Sequence, residues 1–386
     1  MAENKEKKVL NVPNLRFPEF EGEWEKKRLG DFTERVKRKN KYNLSKLPLT
    51  ISAKYGLVDQ ITFFNKIVAS TDMSNYYLLK KGEFAYNKSY SNDYPWGAIK
   101  RLDNYEQGVL SALYICFTTQ DNVESDFILQ YFESPKWHKS VSEIAVEGAR
   151  NHGLLNISVQ DFFQTYHYVP KEKKEQTKIA TLLYLIDERI STQNKIIEDL
   201  KKLKSAISER LFKDTKGDVI TLSEICDIVK GEQINGELLS EHGKYYVMNG
   251  GTDPSGYYDN YNVEAYTISI SEGGNSCGYV QFNKCPFWCG GHCYSIQNIA
   301  DNVYNLYLYH YLKTEEKVIM KLRIGSGLPN IQKKDLATFK IKLPTSEQQK
   351  AISNILSLLE QKAEIEEQML IAMQAEKQYL LRQMFI

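Results

Sequence analysis

A chain of 386 residues is long enough for two ordinary cores, and 42% apolar with 26% charged content belongs to a folded protein rather than a disordered one. A formal net charge of +1 excludes a uniformly basic coat for nucleic acid, so contact with a polyanion has to come from local charge. No run of about 18 apolar residues exists and no apolar run follows the charged start. The sequence therefore predicts neither a membrane span nor a signal peptide, and with them a cytoplasmic location and thiol cysteines.

In chain order, residues 1–25 form an N-terminal arm, and a first globular domain is expected over 26–170. That domain opens on a basic stretch, Lys26, Lys27, Arg28, Arg35, Lys37, Arg38, Lys39, Lys41 and Lys46, opposed only by Asp31 and Glu34. Such a run is either a solvated face or a phosphate-contacting patch. Strand-like alternation follows at 98–102 and 113–117, and a helix-like patch at 126–134. Polar loops lie at 86–92 and 150–152. Asn, Ser, Lys and Arg match base edges and phosphates. The candidate DNA contacts here are Lys37, Arg38, Lys54, Tyr55, Asn87, Lys88, Ser89, Tyr90, Lys100, Arg101, Arg150, Asn151 and His152. The 26 tyrosines of the chain suit either a recognition surface or Tyr-rich strands.

Residues 171–217 read as a long central helix. No Pro or Gly occurs from 173 to 211, and Ile179, Leu183, Ile186, Ile190, Ile197, Leu200, Leu203, Ile207 and Leu211 recur in steps that draw one stripe. Gln193 interrupts the stripe, and a polar residue in a seam often fixes register. A second globular domain is expected over 218–344, with a strand at 265–270 and a helix near 302–314. Its turn-rich loops supply the candidates Gln233, Asn249, Gly250, Gly251, Thr252, Ser271, Gly273, Gly274, Asn275, Arg323 and Ser326, where glycines let backbone amides approach phosphate. A final helix is expected over 345–386, with Ser346 and Gln349 spaced as a capping box and a stripe through Ile352, Ile355, Leu359, Leu370 and Met373. Each helix is too long and too one-sided for a small domain. Antiparallel pairing with each other, or two separate hairpins, would bury the stripes.

The chain repeats itself. Gly-Leu-Leu-Asn-Ile-Ser-Val-Gln-Asp-Phe at 153–162 matches Gly-Leu-Pro-Asn-Ile-Gln-Lys-Lys-Asp-Leu at 327–336 at Gly, Leu, Asn, Ile and Asp. Each copy runs through a β-like stretch to a proline, Pro170 or Pro344. A Glu-Gln pair follows, Glu175-Gln176 or Glu347-Gln348, with two extra residues in the first copy. Leu29-Gly30-Asp31-Phe32 resembles Leu222-Ser223-Glu224-Ile225, and Gly97-Ala98-Ile99 resembles Gly278-Tyr279-Val280. A repeat of half the chain is a duplicated domain, not a solenoid. The expected fold class is α+β: two repeated mixed α/β domains separated by two long antiparallel coiled-coil helices.

Enzyme motifs are missing. Gly231 and Gly236 have Walker spacing, but Glu237-Leu238 stand where the phosphate lysine belongs. Thr252-Asp253-Pro254-Ser255 lacks the second proline of an amino-methyltransferase tetrad, and no catalytic residue is assigned. Cys277, Cys285, Cys289 and Cys293 are spaced irregularly for zinc and sit among apolar neighbours, so no metal is expected.

The duplicated unit, the paired helices, the Leu-Pro-x-x-Glu-Gln entry and the opening Val12-Pro13-Asn14-Leu15-Arg16-Phe17-Pro18-Glu19-Phe20 resemble the specificity subunit of a type I restriction-modification enzyme. So do Glu23-Trp24, Pro286-Phe287-Trp288 and the stretch from Ser271 to Val280. The resemblance implies two target-recognition domains, each reading half of a split, asymmetric sequence in double-stranded DNA. It implies helices that set the spacing and bind two modification subunits, with restriction subunits completing the complex. Those partners would carry S-adenosylmethionine, ATP and Mg2+, and this chain would bind no cofactor. The competing reading is a non-catalytic coiled-coil scaffold whose duplicated domains bind protein or another ligand.

Overall fold

A computed structural model describes residues 10–52, 55–66, 68–91, 94–145, 153–325, 327 and 329–386. Two compact units result, Met1–Thr192 with Leu370–Ile386, and Gln193–Met369. Both long helices are thus divided between the units. Among the described residues no helix is long and apolar enough to cross a membrane.

The first unit contains β1 (Glu25–Arg28), β2 (Thr33–Arg35), β3 (Leu49–Ser52), β4 (Gly56–Asp59), β5 (Tyr77–Lys80), β6 (Phe84–Asn87), β7 (Ala98–Arg101), β8 (Gln107–Leu110), β9 (Ile115–Thr119) and β10 (Tyr166–Val169). Helix α1 (Ser125–Glu133) follows β9, and the long helix α2 (Lys173–Asp214) follows β10. The main sheet is antiparallel, in the order β2-β9-β6-β7. Both of its faces are buried. Phe84, Tyr86, Ile115 and Phe117 meet α1 in one core, while Ala85 and Cys116, pointing the other way, join Leu49, Leu57, Leu79 and Leu110 in a second. A strand buried on both faces reads as a continuous apolar run. Strands β1 and β10 pair beside this sheet, bringing the start of the domain to its end.

The second unit contains β11 (Asp218–Thr221), β12 (Asp227–Lys230), β13 (Tyr245–Met248), β14 (Tyr257–Tyr258), β15 (Thr267–Ser271), β16 (Val280–Asn283), β17 (Trp288–Cys289), β18 (Cys293–Gln297) and β19 (Lys340–Leu343), with helix α3 (Asn305–Thr314) and the final helix α4 (Ser346–Gln383). Its main sheet runs β12-β18-β15-β16, antiparallel throughout, and β11 pairs with β19. Strand order and closing strand pair are those of the first unit.

The repeat extends to side chains. At the head of α2 the Gln176 amide donates to Pro170 O at 2.9 Å and accepts from the Glu124 N–H, which precedes α1, at 2.8 Å. At the head of α4, Gln349 donates to Pro344 O at 2.9 Å and accepts from the Tyr304 N–H, which precedes α3, at 2.8 Å. The equivalent glutamines are therefore Gln176 and Gln349, so the first copy has one extra residue, not two. The capping box expected from Ser346 and Gln349 is not formed. Thr345 Oγ1 accepts the Gln348 N–H instead, because the Gln349 side chain is committed to the domain. An aromatic triad also recurs. Phe385 lies 5.4 and 5.7 Å from Phe127 and Tyr131, and Phe212 lies 5.6 and 5.2 Å from Tyr307 and Tyr311.

Within each unit the α2 and α4 segments pair antiparallel. In the first, Ile179, Ala180 and Leu183 pack with Leu381, Met384 and Phe385, and Asp187 meets Lys377. In the second, buried Gln193 donates to the Glu366 carbonyl at 3.0 Å and to its carboxylate, and Lys204 pairs with Glu360 at 2.7 Å. The seam glutamine thus has a defined partner. Ile197 and Ile352 are buried, and Ile186, Ile190, Leu359, Leu370 and Met373 are half-buried. Ile355 and Leu203 depart from the expected stripe, being 45% and 49% exposed, while Leu356 is fully buried. The 3.6-residue turn drifts against a fixed step, which moves the buried edge from one position to its neighbour.

Candidate nucleic-acid interface

In the second unit, the loops that follow β13 and β15 meet the turn that precedes β18. Asn249 Oδ1 accepts the His292 N–H at 3.1 Å, and Ser271 Oγ donates to Gly250 O at 2.7 Å. The Glu272 N–H donates to His292 O at 2.9 Å, and the Gly274 N–H to Pro329 O at 3.0 Å. Gly250 has φ +89°, and a Cβ there would press on His292 O at 3.0 Å, so the crossing of these loops requires glycine. Ile324 and Asn330 exchange backbone hydrogen bonds, and Arg323 directly precedes this isolated bridge. Exposed Gln233 lies against Gly291.

Of the residues selected from the sequence, Gln233, Asn249, Gly250, Ser271, Gly273, Gly274 and Arg323 belong to this cluster. Gly251, Thr252 and Asn275 lie on its loops, with Thr252 and Asn275 exposed. Ser271 is buried and serves as a strut beneath the loops. The sequence reading missed Lys230, His292 and Asn330. His292 is the exposed residue on which two loops converge. Lys230 pairs with Glu272 at 2.7 Å, and Tyr294 OH donates to the same carboxylate oxygen at 3.0 Å.

In the first unit the corresponding exit is that of β6. Ser89 bridges Leu154, the Tyr90 N–H donates to Gly153 O at 3.0 Å, and the Leu155 N–H to Lys88 O at 2.9 Å. The repeated peptide thus reaches the sheet exit through Gly153, Leu154 and Leu155 in the first unit and through Pro329 and Asn330 in the second. Asn87 Oδ1 accepts the Ser89 N–H at 3.0 Å. Lys88 Nζ donates to Ile157 O at 3.3 Å, and partial burial lowers the ammonium below its ordinary value. Gly97, at φ +77°, passes so close to Asn87 O that a Cβ would lie 2.2 Å away. Lys37 and Tyr55 are exposed. Lys54, Arg150, Asn151, His152 and Ser326 lie outside the described residues.

Lys100 and Arg101 are not brought to this end. They occupy the far end of β7, opposite Ala85 and Phe84, where Lys100 pairs with Glu133 at 2.6 Å and Arg101 with Asp103 and Asp126, each at 2.7 Å. Arg38 holds Glu83 through two hydrogen bonds, at 2.9 and 3.1 Å. These three cations tie strands to helix and turn. Cys277 belongs to the main core, Cys289 and Cys293 to a small cluster with Met248, Val263 and Phe287, and Cys285 is exposed. Hydrogen bonding to Cys293 and burial push the Cys289 thiol far up, so it is held protonated.

Residues 216–374 match the family model for the type I restriction modification DNA specificity domain. Two provisionally named type I specificity subunits, from Mycoplasma genitalium and Mycoplasma pneumoniae, are 34% and 35% identical over 146 residues, 37% of this chain. The matched stretch spans 38% and 39% of those relatives. The solved specificity subunit of the M. genitalium type I system superposes with a TM-score of 0.65 at 21% identity, covering 97% of this chain and 99% of that one. A chain from a structural study of complex assembly and conformational transition of the type I system gives 0.58 at 18% identity, covering 93% and 96%. The family likeness and the fold class read from the sequence are borne out.

Proposed function

From a chain with a type I restriction-modification specificity domain and the fold of a specificity subunit, we propose a DNA-specificity subunit that reads a split, asymmetric duplex target. Each unit reads one half-site through the loops at its sheet exit. The observation that carries this is the duplication of one sheet with one strand order, each presenting a different polar loop set at the same place. A scaffold for protein ligands would not require the two loop sets to differ while the frames match.

The helices bind two modification subunits and set the separation of the half-sites. Adenine methylation with S-adenosylmethionine, and ATP- and Mg2+-dependent restriction, belong to the partner subunits in the cytoplasm. The chain itself contributes recognition and positioning.

The test is a domain exchange. Residues 26–170 are replaced by the corresponding segment of another specificity subunit, the complex is assembled in cells, and methylated positions are mapped across the genome. One half of the target changes and the other is retained. Change in both halves, or methylation independent of this chain, would overturn the reading.

A further inference from the structure

Between Glu34 and Asp59 the sequence has no acidic residue, while Lys37, Lys41 and Lys46 are exposed. In the middle of this segment Tyr42 is 93% exposed; the next most exposed large apolar side chains among the described residues, Tyr266 and Ile371, reach only 65%. Leu44, two residues on, is 61% exposed. An aromatic ring and a leucine standing free in water gain nothing for the fold.

The loop is nonetheless built. Asn40 is fully buried, and its side chain donates to Ser45 O at 2.9 Å and accepts the Ser45 N–H at 3.0 Å, closing the loop across its base. The Asn40 N–H donates to Tyr76 O at 3.0 Å, and Gln107 Nε2 donates to Leu44 O at 3.2 Å, clamping it from the residue before β5 and from β8. At the tip, two successive non-glycine residues sit in the left-handed region, Tyr42 at φ 62° and Asn43 at φ 49°. A bulky residue rarely adopts this conformation, and such positions cluster where the surroundings impose a presentation that function uses. A loop that only had to connect would carry glycine here.

A rigid cationic loop with an aromatic and an aliphatic side chain at its tip has the chemistry of a wedge for duplex DNA. The lysines meet phosphates, and the apolar pair enters a base step and partly unstacks it. We propose that Tyr42, supported by Leu44 and held by Asn40, inserts into the duplex and stacks on a base when the first unit binds its half-site. The proposal rests on the DNA reading above and adds a contact whose energy comes from stacking rather than from hydrogen bonds to base edges.

The test uses the full chain, tagged and purified with the subunits it assembles with, and a random-sequence duplex pool. Bound duplexes are recovered and treated with permanganate, which oxidises thymines that have lost their stacking. The parent complex gives hyper-reactive thymines at a fixed offset from the first half-site. Tyr42→Ala abolishes them and weakens binding about tenfold to a hundredfold. Tyr42→Phe and Tyr42→Trp retain them. Because the insertion is apolar, Tyr42→Ala leaves the slope of affinity against salt unchanged, whereas Lys41→Ala lowers it. Selective duplex binding without hyper-reactive thymines, or with thymines still reactive in Tyr42→Ala, overturns the wedge and leaves the DNA reading standing. So does a Tyr42→Ala complex that loses subunits while its DNA signature persists, which would assign the loop to a protein contact. Absence of any selective duplex binding by the parent complex overturns both.

Discussion

The two units hold the same frame and present different loops. In the frame, Gln176 and Gln349 make the same pair of hydrogen bonds, and Phe385 and Phe212 close the same aromatic triad. At the sheet exits, a half-buried lysine, Lys88, lines one unit, while the buried carboxylate of Glu272, paired with Lys230, lines the other. The entry to the long helices differs too. Glu175 is buried under the N-terminal arm, held by Arg16 at 2.8 Å and by Trp24 Nε1 at 3.1 Å, whereas Gln348 at the matching place is exposed. Identity is kept where side chains fill space or satisfy buried backbone, since both tolerate little change. The differences are charged and polar groups at the sheet exits and the helix entry, and a duplicated protein that varies there can recognise two unlike things.

The strongest test of this comparison lies in the triads. Phe385→Ala and Phe212→Ala each remove a buried ring and should cost about 3–5 kcal/mol. Denaturant unfolding followed by fluorescence separates the units, because Trp24, Trp96 and Trp137 lie in the first and Trp288 in the second. Each substitution should lower the midpoint of its own unit, and equal losses are expected if the triads are equivalent. A loss below about 1 kcal/mol in either unit would show that the matching distances conceal unequal packing.

The clasp should come next. Gln176→Ala and Gln349→Ala leave a buried proline carbonyl and a helix-initial N–H without their partner, at about 2 kcal/mol each. A glutamate at either position keeps the acceptor and loses the donor, so it should fall between the parent and alanine. If only one of the two glutamines mattered, the one-residue correction to the repeat would be an accident of geometry.

The effect that vanishes at neutral pH distinguishes the units by acid. Burial pushes His167 down to about 3, between Tyr131 OH and Thr165 Oγ1, each 2.8 Å away, and lowers His310 to about 4, beside Ser357. Both imidazoles are neutral when folded and take up a proton only on unfolding. The unfolded chain binds that proton below its ordinary value of about 6.5, so stability is full above that pH and falls as pH drops toward 3 or 4. Each histidine should contribute a slope of about 1.4 kcal/mol per pH unit in this window. His167→Gln should flatten the decline of the first unit between pH 6.5 and 4 and leave that of the second. An unchanged decline would assign the acid sensitivity to carboxylates instead.

Several site residues were legible before the fold was known, for reasons that differ. Gly250, Gly273, Gly274 and Asn249 were found because a glycine-rich polar loop is a local signal, and the structure gathers them. Lys230 and His292 were not found. One reads as the end of a strand, the other as part of a cysteine-rich stretch, and only the meeting of three loops gives them a shared surface. Arg101 and Arg38 carried the right charge, but Asp126 and Glu83 lie 25 and 45 residues away in the chain, beyond any local pattern, and only Asp103, the second partner of Arg101, is local.

The sequence by itself determined the duplication, the two long helices and the α+β class. Periodicity, absence of helix breakers and internal similarity act within a few turns of chain and need no partner. Only the tertiary structure decided which glutamines correspond, which edge of each helical stripe is buried, and which cations are neutralised inside the fold. It also set Tyr42 on a clamped, left-handed tip. Those outcomes depend on what arrives from distant segments: Asn40 is one asparagine among many until Tyr76 and Ser45 close around it, and the loop acquires its shape from that closure.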